Sequence, residues 1–441
     1  MCGGSPVTEE GRGSALERWV WLLCWGVATV LALALTTPWE WLPGGLPPLD
    51  ADAGMDPETL ERIEDYRSRS VPVGLASVAV SVLVTAVLGL TPLGARLVRS
   101  LPGSRYRAVQ RCLAVALVLA IGVVVTLPLR VWGERLARDA GLSTQTWASW
   151  AVDVLTSYGL GVTMTSLTLL TLAGLAARVR RWWLVASLAA GALVLVASLA
   201  YPVVIEPLYA SFTPMEAGPL RTSLLELAAD DGIEVDGVLV ADASQRTTAV
   251  NAYVSGFGPT RRIVVYDTLL ETTPEQVRLI VAHELGHTAN DDVLRGTMIG
   301  AAGAVAGLTG LTLLAGSAVL RRRSGLDGTT PDGAKSDARL DTARQSMIAV
   351  AGVPLLLAIY GLSSLVTLPV VNAVSRAVEA RADVHALDLT ANPVGFAAMQ
   401  RRLASTNLND PSPPQWRQLW FGTHPTTAQR IALAEGWLAA Q

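Results

Sequence analysis

This sequence has little charge, almost no lysine and few cysteines, and each shortage excludes a class of protein. Only 16% of its 441 residues are charged and 51% are hydrophobic, whereas a soluble domain usually carries about 25% charge. This balance excludes a disordered chain, a coiled coil and an ordinary cytosolic enzyme, and it favours a protein that crosses a membrane several times. The net charge is −3, with 34 basic and 37 acidic residues. Without a basic excess, nucleic acid is not expected as a partner.

Lysine and cysteine usage narrows the class further. Lys335 is the sole lysine, and this preference for arginine favours a bacterial source. The three cysteines, Cys2, Cys24 and Cys112, are scattered and odd in number, which argues against a disulfide framework and against a cysteine metal site. The first apolar stretch is long and lacks a small-residue cleavage site, so we interpret it as a retained membrane anchor.

Seven apolar stretches are long enough to cross a bilayer, which takes about 20 residues. They cover residues 17–37, 71–95, 109–131, 154–176, 182–206, 296–320 and 346–372. Two regions do not fit a bilayer. Region 208–295 alternates strand-like runs with turns and then predicts a helix from Thr273, and region 373–441 predicts helices broken at prolines.

The predicted fold is therefore mainly α: a seven-span transmembrane helical bundle that carries an α+β domain. Four units are expected along the chain. They are 1–207 with five spans, 208–295 outside the membrane, 296–372 with the sixth and seventh spans, and 373–441 outside the membrane. Segment 321–345, rich in glycine, aspartate and arginine, is predicted as a solvated loop between the last two spans.

The predicted helix from Thr273 contains His283-Glu284-Leu285-Gly286-His287, an HExxH motif. Residues four apart share one face of a helix, so both imidazoles can bind one metal ion. Glu284 lies about 100° further round the helix, where it can act as general base for an attacking water. With four histidines in the chain, chance is a poor account of this pattern. The alternatives are a metal-free relic and a purely structural zinc site.

A catalytic zinc has three protein ligands and one open position. His385, His424 and several carboxylates are candidates for the third ligand, and Glu379 is the strongest carboxylate. Asp383 follows it by one helical turn, where it can accept a hydrogen bond from the ring N–H of a ligand histidine. The alternative for this pair is a solvated helix face paired with arginines. His385 would point away from Glu379 on the same helix, so we interpret it as a bystander.

Two residues near the end of the chain are candidates for transition-state stabilisation. His424 and Arg430 can both neutralise negative charge that develops during acyl transfer. The alternative for His424 is a surface histidine in the turn before a helix.

Several stretches carry patterns that extend well beyond HExxH. They are Asn251-Ala252-Tyr253-Val254, Gly256-Phe257-Gly258, Arg262 through Leu270, Arg376 with Glu379, Ala382 and Asp383, Thr423-His424-Pro425 with Arg430, 141–146 with Asp153, and 201–214. Together with HExxH they resemble the CAAX prenyl endopeptidase family of integral-membrane gluzincin zinc proteases. The resemblance covers most of the chain. Two positions differ from the family: Thr156 replaces a frequent lysine, and His385 replaces a usual aromatic residue.

The resemblance implies a gluzincin-type zinc metalloprotease domain on a bundle of spans around a large chamber. One Zn²⁺ per chain would be bound by His283, His287 and Glu379, with Glu284 as catalytic base and proton shuttle. Asp383 would support a ligand histidine. The resemblance further assigns substrate-backbone binding to Asn251, on an edge strand, and assistance in substrate binding or transition-state stabilisation to His424 and Arg430.

The function expected from these observations is that of a zinc-dependent membrane metalloendopeptidase. Its partners would be the lipid bilayer and peptide or protein substrates that are lipidated or membrane-associated. One alternative is a quality-control metalloprotease of the heat-shock type. A non-enzymatic alternative is a transporter or receptor with a structural zinc, which the scarcity of ionisable residues within the spans disfavours.

The side of the membrane that carries the zinc domain is predicted differently by two arguments. Counting lysine and arginine near the span ends places 15 on the side of the N-terminus and 6 on the other side. By the positive-inside rule the N-terminus is then cytoplasmic, which puts the zinc domain outside a bacterial cell membrane. The family resemblance implies the opposite, cytoplasmic orientation. We take the external orientation as the prediction.

Overall fold

A computed structural model describes residues 9–103, 106–208, 210–326 and 342–441 of the protein. The helices are α1 Glu9–Thr36, α2 Pro57–Leu90, α3 Pro92–Arg99, α4 Arg107–Asp139, α5 Trp147–Arg178, α6 Trp182–Val204, α7 Pro219–Asp230, α8 Pro274–Ala289, α9 Asp292–Ala315, α10 Ala318–Arg323, α11 Thr342–Ile348, α12 Val353–Thr390, α13 Pro393–Thr406, α14 Gln415–Phe421 and α15 Thr427–Ala439. The strands are β1 Phe212–Pro214, β2 Gly237–Ala241, β3 Ala252–Ser255 and β4 Arg262–Tyr266.

Seven helices within the described ranges are long and apolar enough to cross a bilayer, namely α1, α2, α4, α5, α6, α9 and α12. This confirms the predicted seven-span, mainly helical fold. Helices α2 and α4 have 34 and 33 residues, which corresponds to about 50 Å at 1.5 Å per residue. Because the hydrocarbon core of a bilayer is only about 30 Å thick, both helices project from the membrane.

Alternating spans place four segments on the side of the membrane that carries the HExxH helix: 37–56, 140–146, 205–291 and 391–441. Direct contacts join these segments. Thr247 donates a hydrogen bond from Oγ1 to the Leu142 carbonyl at 3.0 Å, and Arg401 donates from Nε to the Ala53 carbonyl at 2.7 Å. The loop before the fourth span is thereby fixed against the sheet domain.

The segment between the last two spans is more ordered at its ends than its composition predicts. Helix α10 extends the chain beyond the sixth span and α11 precedes the seventh, whereas residues 327–341 lie outside the described residues. Arg321 is buried and donates from Nη1 to the Thr342 carbonyl at 3.0 Å and to Ser346 Oγ at 2.5 Å. These long-range hydrogen bonds hold α10 and α11 together, and local composition does not encode them.

A four-stranded sheet with the order β1-β2-β4-β3 supports the extramembrane domain. Strands β2 and β4 are parallel, and the outer pairs are antiparallel. The strand-like runs predicted before Thr273 correspond to β2, β3 and β4. Ile263, Val264 and Val265 of β4 are fully buried, because an inner strand is covered on both faces. Strand β3 is left at the edge of the sheet.

Helix α8 begins as its sequence predicts. The Thr273 hydroxyl caps the helix by accepting a hydrogen bond from the Gln276 N–H at 3.3 Å, and Pro274 occupies the first helical position. Apolar residues of α8, among them Val281 and Leu285, are buried in one core with the sheet and α7. The core therefore fixes which face of α8 remains for the histidines.

The seventh span does not end at the membrane surface. Helix α12 runs without interruption from Val353 to Thr390, so the predicted unit boundary at 372/373 falls inside it. A single helix thus crosses the membrane and continues into the extramembrane domain, where it carries Glu379 and Asp383.

Candidate active site

Helices α8 and α12 pack closely at the HExxH motif because Gly286 has no side chain. A Cβ atom at Gly286 would lie 3.2 Å from both the Cα and the carbonyl oxygen of Ala382. Real side chains rarely approach this closely. The glycine therefore lets the backbones of the two helices come together and brings both histidines of the motif opposite Glu379.

The three predicted metal ligands converge at this contact. His283 Nε2 lies 3.2 Å from Glu379 Oε2, and His287 Nε2 lies 3.6 Å from Glu379 Oε1. Within the described residues, the potential ligand atoms of these three side chains all lie within 4.8 Å of one another. Two imidazole nitrogens and a carboxylate form a group that can hold one metal ion.

The Nδ1 nitrogen of His283, which faces away from the metal position and is here called the outer nitrogen, contacts a buried ion pair. His283 Nδ1 donates to Asp383 Oδ1 at 2.8 Å, and Arg430 donates from Nε to Asp383 Oδ2 at 2.8 Å. A second guanidinium nitrogen of Arg430 contacts Asp383 Oδ1. Because a carboxylate can only accept hydrogen bonds, it fixes the proton on Nδ1 and leaves Nε2 to face the metal position.

The outer nitrogen of His287 has an equivalent partner that sequence reasoning missed. His287 Nδ1 lies 3.0 Å from Asp292 Oδ2, and Arg381 donates to the other oxygen of Asp292. Asp292 is the first residue of α9, five positions after His287. The expectation of one supporting carboxylate for each ligand histidine was available from chemistry, but spacing alone does not separate Asp292 from the neighbouring Asp291.

Glu284 lies on α8 between the two histidines and has no hydrogen-bonding partner for its carboxylate among the described residues. Burial raises the pKa of this carboxyl group above its ordinary value, because a charge is less stable in a poorly solvated site. A carboxylate with raised basicity and free oxygens is suited to accept a proton from water.

The carboxylates around His283 favour a positive charge at the metal position. Burial by itself lowers the pKa of His283, but the hydrogen bonds and charges of Asp383 and Glu379 outweigh this effect and raise the pKa to about 10. The same negative field that stabilises a proton here stabilises a bound cation.

His424 approaches the group from the other side of Glu379. Its Nε2 lies 3.3 Å from Glu379 Oε2, and the side chain is 57% exposed. Arg376 of α12 donates to the Gln418 and Gly422 carbonyls at 2.9 and 2.6 Å, and Gln418 Nε2 donates to the His424 carbonyl at 2.6 Å. The loop after α14 is therefore tied to the helix that carries Glu379, which leaves the His424 ring open to solvent beside the metal position.

The remaining predicted site residues occupy different surroundings. Asn251 directly precedes the edge strand β3 and its side chain is exposed. Arg430 donates to Asp383 from two nitrogens, and its Nη2 also lies 3.4 Å from His283 Nδ1. The shorter contacts are those to Asp383, so its closest role is to hold that carboxylate. His385 donates from Nε2 to Asp231 at 2.9 Å. This contact lies away from the metal ligands and agrees with the interpretation of His385 as a bystander.

An HExxH helix that faces a glutamate on a second helix, in an α+β domain carried by membrane spans, defines an integral-membrane metalloprotease. Comparison with known families identifies the family of this metalloprotease. The chain belongs to peptidase family M48, whose model matches residues 214–438. A second model, described as the CAAX prenyl protease N-terminal region with five membrane helices, matches residues 44–211.

Individual relatives agree with this placement. The chain is 34% identical over 332 residues to the uncharacterized metalloprotease YhfN of Bacillus subtilis. This match covers 75% of this chain and 74% of the relative. It is 37% identical over 95 residues to CAAX prenyl protease 1 of Saccharomyces cerevisiae, which covers 21% of each chain. The crystal structure of Ste24p from S. mikatae superposes with a TM-score of 0.74 at 19% identity, covering 95% of this chain and 99% of that one.

Proposed function

We propose that this protein is a zinc-dependent endopeptidase that cleaves lipidated or membrane-associated protein substrates at the membrane surface. The observation that carries the proposal is the convergence of His283, His287 and Glu379, with each histidine held by a carboxylate through its outer nitrogen. A structural zinc site normally has four protein ligands, whereas three ligands beside an unpaired glutamate are typical of a hydrolytic site.

The donor set fits zinc in both chemistry and spacing. Two ligand atoms that each lie about 2.1 Å from a tetrahedral ion are separated by about 3.4 Å. His283 Nε2 lies 3.2 Å from Glu379 Oε2 and His287 Nε2 lies 3.6 Å from Glu379 Oε1, so each histidine lies near that distance from a different oxygen of the carboxylate. The side chains therefore hold positions close to those that zinc needs, and one ion per chain is expected.

The residues of the chain divide the reaction between them. Zinc bound to His283, His287 and Glu379 would supply Lewis acidity for polarising the peptide carbonyl and activating water. Glu284 would accept the proton of the attacking water and deliver it to the amine of the leaving peptide. Its raised pKa supports both steps, because a more basic carboxylate takes a proton readily and its conjugate acid can still donate one.

His424 and Asn251 are assigned roles toward the substrate. The half-exposed His424 side chain, whose Nε2 lies beside Glu379, would donate a hydrogen bond to the developing negative charge. Asn251 adjoins the free edge of β3, where an extended peptide can add as a further strand. Arg430 would contribute positive charge to the site and keep Asp383 ionised.

The relatives and the position of the site support the proposed substrate class. Several relatives are named CAAX prenyl protease 1, and the catalytic helix α12 continues directly from a membrane span. A substrate held at the bilayer by a lipid would present its peptide at this level. Thr156 and His385, which differ from the family pattern, bear on whether that lipid is a prenyl group.

A cleavage assay with matched peptides tests the proposal. Purified protein in detergent or vesicles is given the same fluorogenic peptide with and without a farnesyl group, with the Glu284→Gln variant as control. We expect zinc-dependent cleavage by the wild type only, with the lipidated peptide preferred. Equal cleavage of both peptides would favour a quality-control protease of the heat-shock type. Absence of any cleavage by zinc-loaded protein would contradict the proposed activity.

The orientation of the site in a bacterial cell membrane is part of the same proposal. We place the zinc domain on the external face, because basic residues are concentrated on the opposite side of the span bundle. Arg99, for example, is one of the basic residues on that opposite side, where it donates a hydrogen bond to the Gly325 carbonyl at 2.7 Å.

A further inference from the structure

Both histidines of the HExxH motif are supported by a chain of the same three chemical groups: imidazole, carboxylate and guanidinium. In the first of these, His283 contacts Asp383, which the sequence predicted as its support, and Asp383 contacts Arg430, which only the structure places there. In the second, His287 contacts Asp292 and Asp292 contacts Arg381. The HExxH motif assigns no role to Asp292 or Arg381.

Asp292 is in the position required to orient His287. Its Oδ2 lies 3.0 Å from His287 Nδ1, and a carboxylate there can only accept the ring proton. The proton on Nδ1 leaves the lone pair on Nε2, and Nε2 is the nitrogen that lies 3.6 Å from Glu379 Oε1. The hydrogen bond thus selects both the tautomer and the ring rotation that a metal ligand needs.

Asp292 is itself held rigidly. It is the first residue of the 24-residue helix α9, where unpaired backbone N–H groups and the helix dipole favour a negative charge. Its other oxygen, Oδ1, accepts a hydrogen bond from Arg381 of α12, and its side chain is only 8% exposed. Both carboxylate oxygens are therefore engaged, one by the ligand histidine and one by the helix that carries Glu379.

We propose that Asp292, held by Arg381, is a positioning residue for His287 and that this pair connects the sixth and seventh spans to the metal site. The inference rests on the proposed zinc function. Asp292 begins the sixth span, Arg381 lies on the helix that extends from the seventh, and His287 lies on α8, which directly precedes the sixth span in the chain. A displacement between these two spans would therefore change the direction of the His287 ring.

The test measures zinc affinity, by competition with a chelator, for variants of the full-length protein in detergent. Asp292→Ala removes the acceptor, Asp292→Asn keeps an acceptor without the charge, and Arg381→Gln removes the partner of Asp292. Asp291→Asn is the matched control, because Asp291 is the adjacent acid and has a left-handed backbone that asparagine tolerates. Thermal unfolding of the metal-free proteins is recorded in parallel.

We expect Asp292→Ala to lower zinc affinity by about 10- to 100-fold, and Asp292→Asn to recover part of that loss. Arg381→Gln should lower the affinity less, and the double variant Asp292→Ala/Arg381→Gln should be no weaker than Asp292→Ala, because Arg381 acts through Asp292. With saturating zinc, Asp292→Ala should lower kcat and leave KM nearly unchanged. Asp291→Asn should match the wild type.

Two results would overturn the inference. One is a zinc affinity of Asp292→Ala within twofold of the wild type. The other is an equal loss in Asp292→Ala and Arg381→Gln, accompanied by equal destabilisation of the metal-free proteins, which would reduce the pair to an ion pair between spans. If the wild type itself bound no zinc, the proposed function would fail. If His283→Ala lost zinc and Asp292→Ala kept it, only the role of Asp292 would fail.

Discussion

Replacing Gly286 with alanine should strain the contact between α8 and α12 on which the metal site depends. The new Cβ would lie 3.0 Å from His385 Cβ and 3.2 Å from the Cα and carbonyl oxygen of Ala382. These atoms belong to or adjoin the backbone of α12, so they cannot rotate aside. Relief requires α12 to move away from α8 by a few tenths of an ångström.

The size of the effect on zinc affinity follows from the strain at this contact. The helix-forming advantage of alanine, about 1 kcal/mol, stabilises the metal-free and the metal-bound protein alike and leaves zinc affinity unchanged. Overpacking a well-packed contact adds about 1–3 kcal/mol of strain. The metal-free protein can relieve it by separating the helices, whereas the metal-bound protein must keep the histidines of α8 close to Glu379. A strain of 1.4 kcal/mol corresponds to a tenfold change in an equilibrium constant. We therefore expect zinc affinity to fall by about 5- to 150-fold.

Chelator competition on Gly286→Ala measures this loss directly. Gly307→Ala in α9 is the matched control, because a Cβ there has no atom within 4 Å. The control should retain the zinc affinity of the wild type. Equal affinities for wild type, Gly286→Ala and Gly307→Ala would refute the argument that close approach of the two helices determines the geometry of the site.

Four further predictions concern the site and its orientation. Glu284→Gln should keep its zinc and lose nearly all hydrolysis, and a variant that retained a tenth of wild-type turnover would exclude Glu284 as the base. Elemental analysis should find one zinc in the wild type and none after alanine replacement of any ligand, namely His283, His287 or Glu379. His424→Ala should be milder, costing about 3 kcal/mol of transition-state stabilisation or less, read from kcat/KM. A cysteine introduced at Ser405, in a variant without the native cysteines, should react with a membrane-impermeant thiol reagent on intact cells. Protection until the membrane is broken would reverse the proposed orientation.

The features that the sequence predicted correctly depend on neighbours along the chain. The seven spans are long apolar stretches, and the structure has a helix at each of them. The cap at Thr273 and the shared face of His283 and His287 follow from helical geometry over a few residues. These features need no knowledge of how distant segments pack.

The third metal ligand shows where this reasoning reached its limit. His385, His424 and several carboxylates were candidates from residue types alone. The spacing of Glu379 and Asp383 favoured Glu379, and the family resemblance implied the same ligand. In the structure both lie at the site, and Glu379 contacts both motif histidines through its two oxygens, whereas His424 contacts Glu379. His385 lies on the same helix as Glu379 but pairs with Asp231. The helical period indicated that His385 points elsewhere, but it could not name its partner.

The sequence by itself determined the membrane spans, the HExxH helix and the chemistry that two histidines and a glutamate can perform, because hydropathy and helical periodicity are local properties. Only the tertiary structure decided that Asp292 and Arg381 support His287, that Arg430 holds Asp383, and that Arg321 joins α10 to α11. Each of these contacts joins residues on different helices. Their formation depends on how helices cross and how closely backbones approach, as at Gly286 and Ala382, and no spacing along one helix specifies that approach.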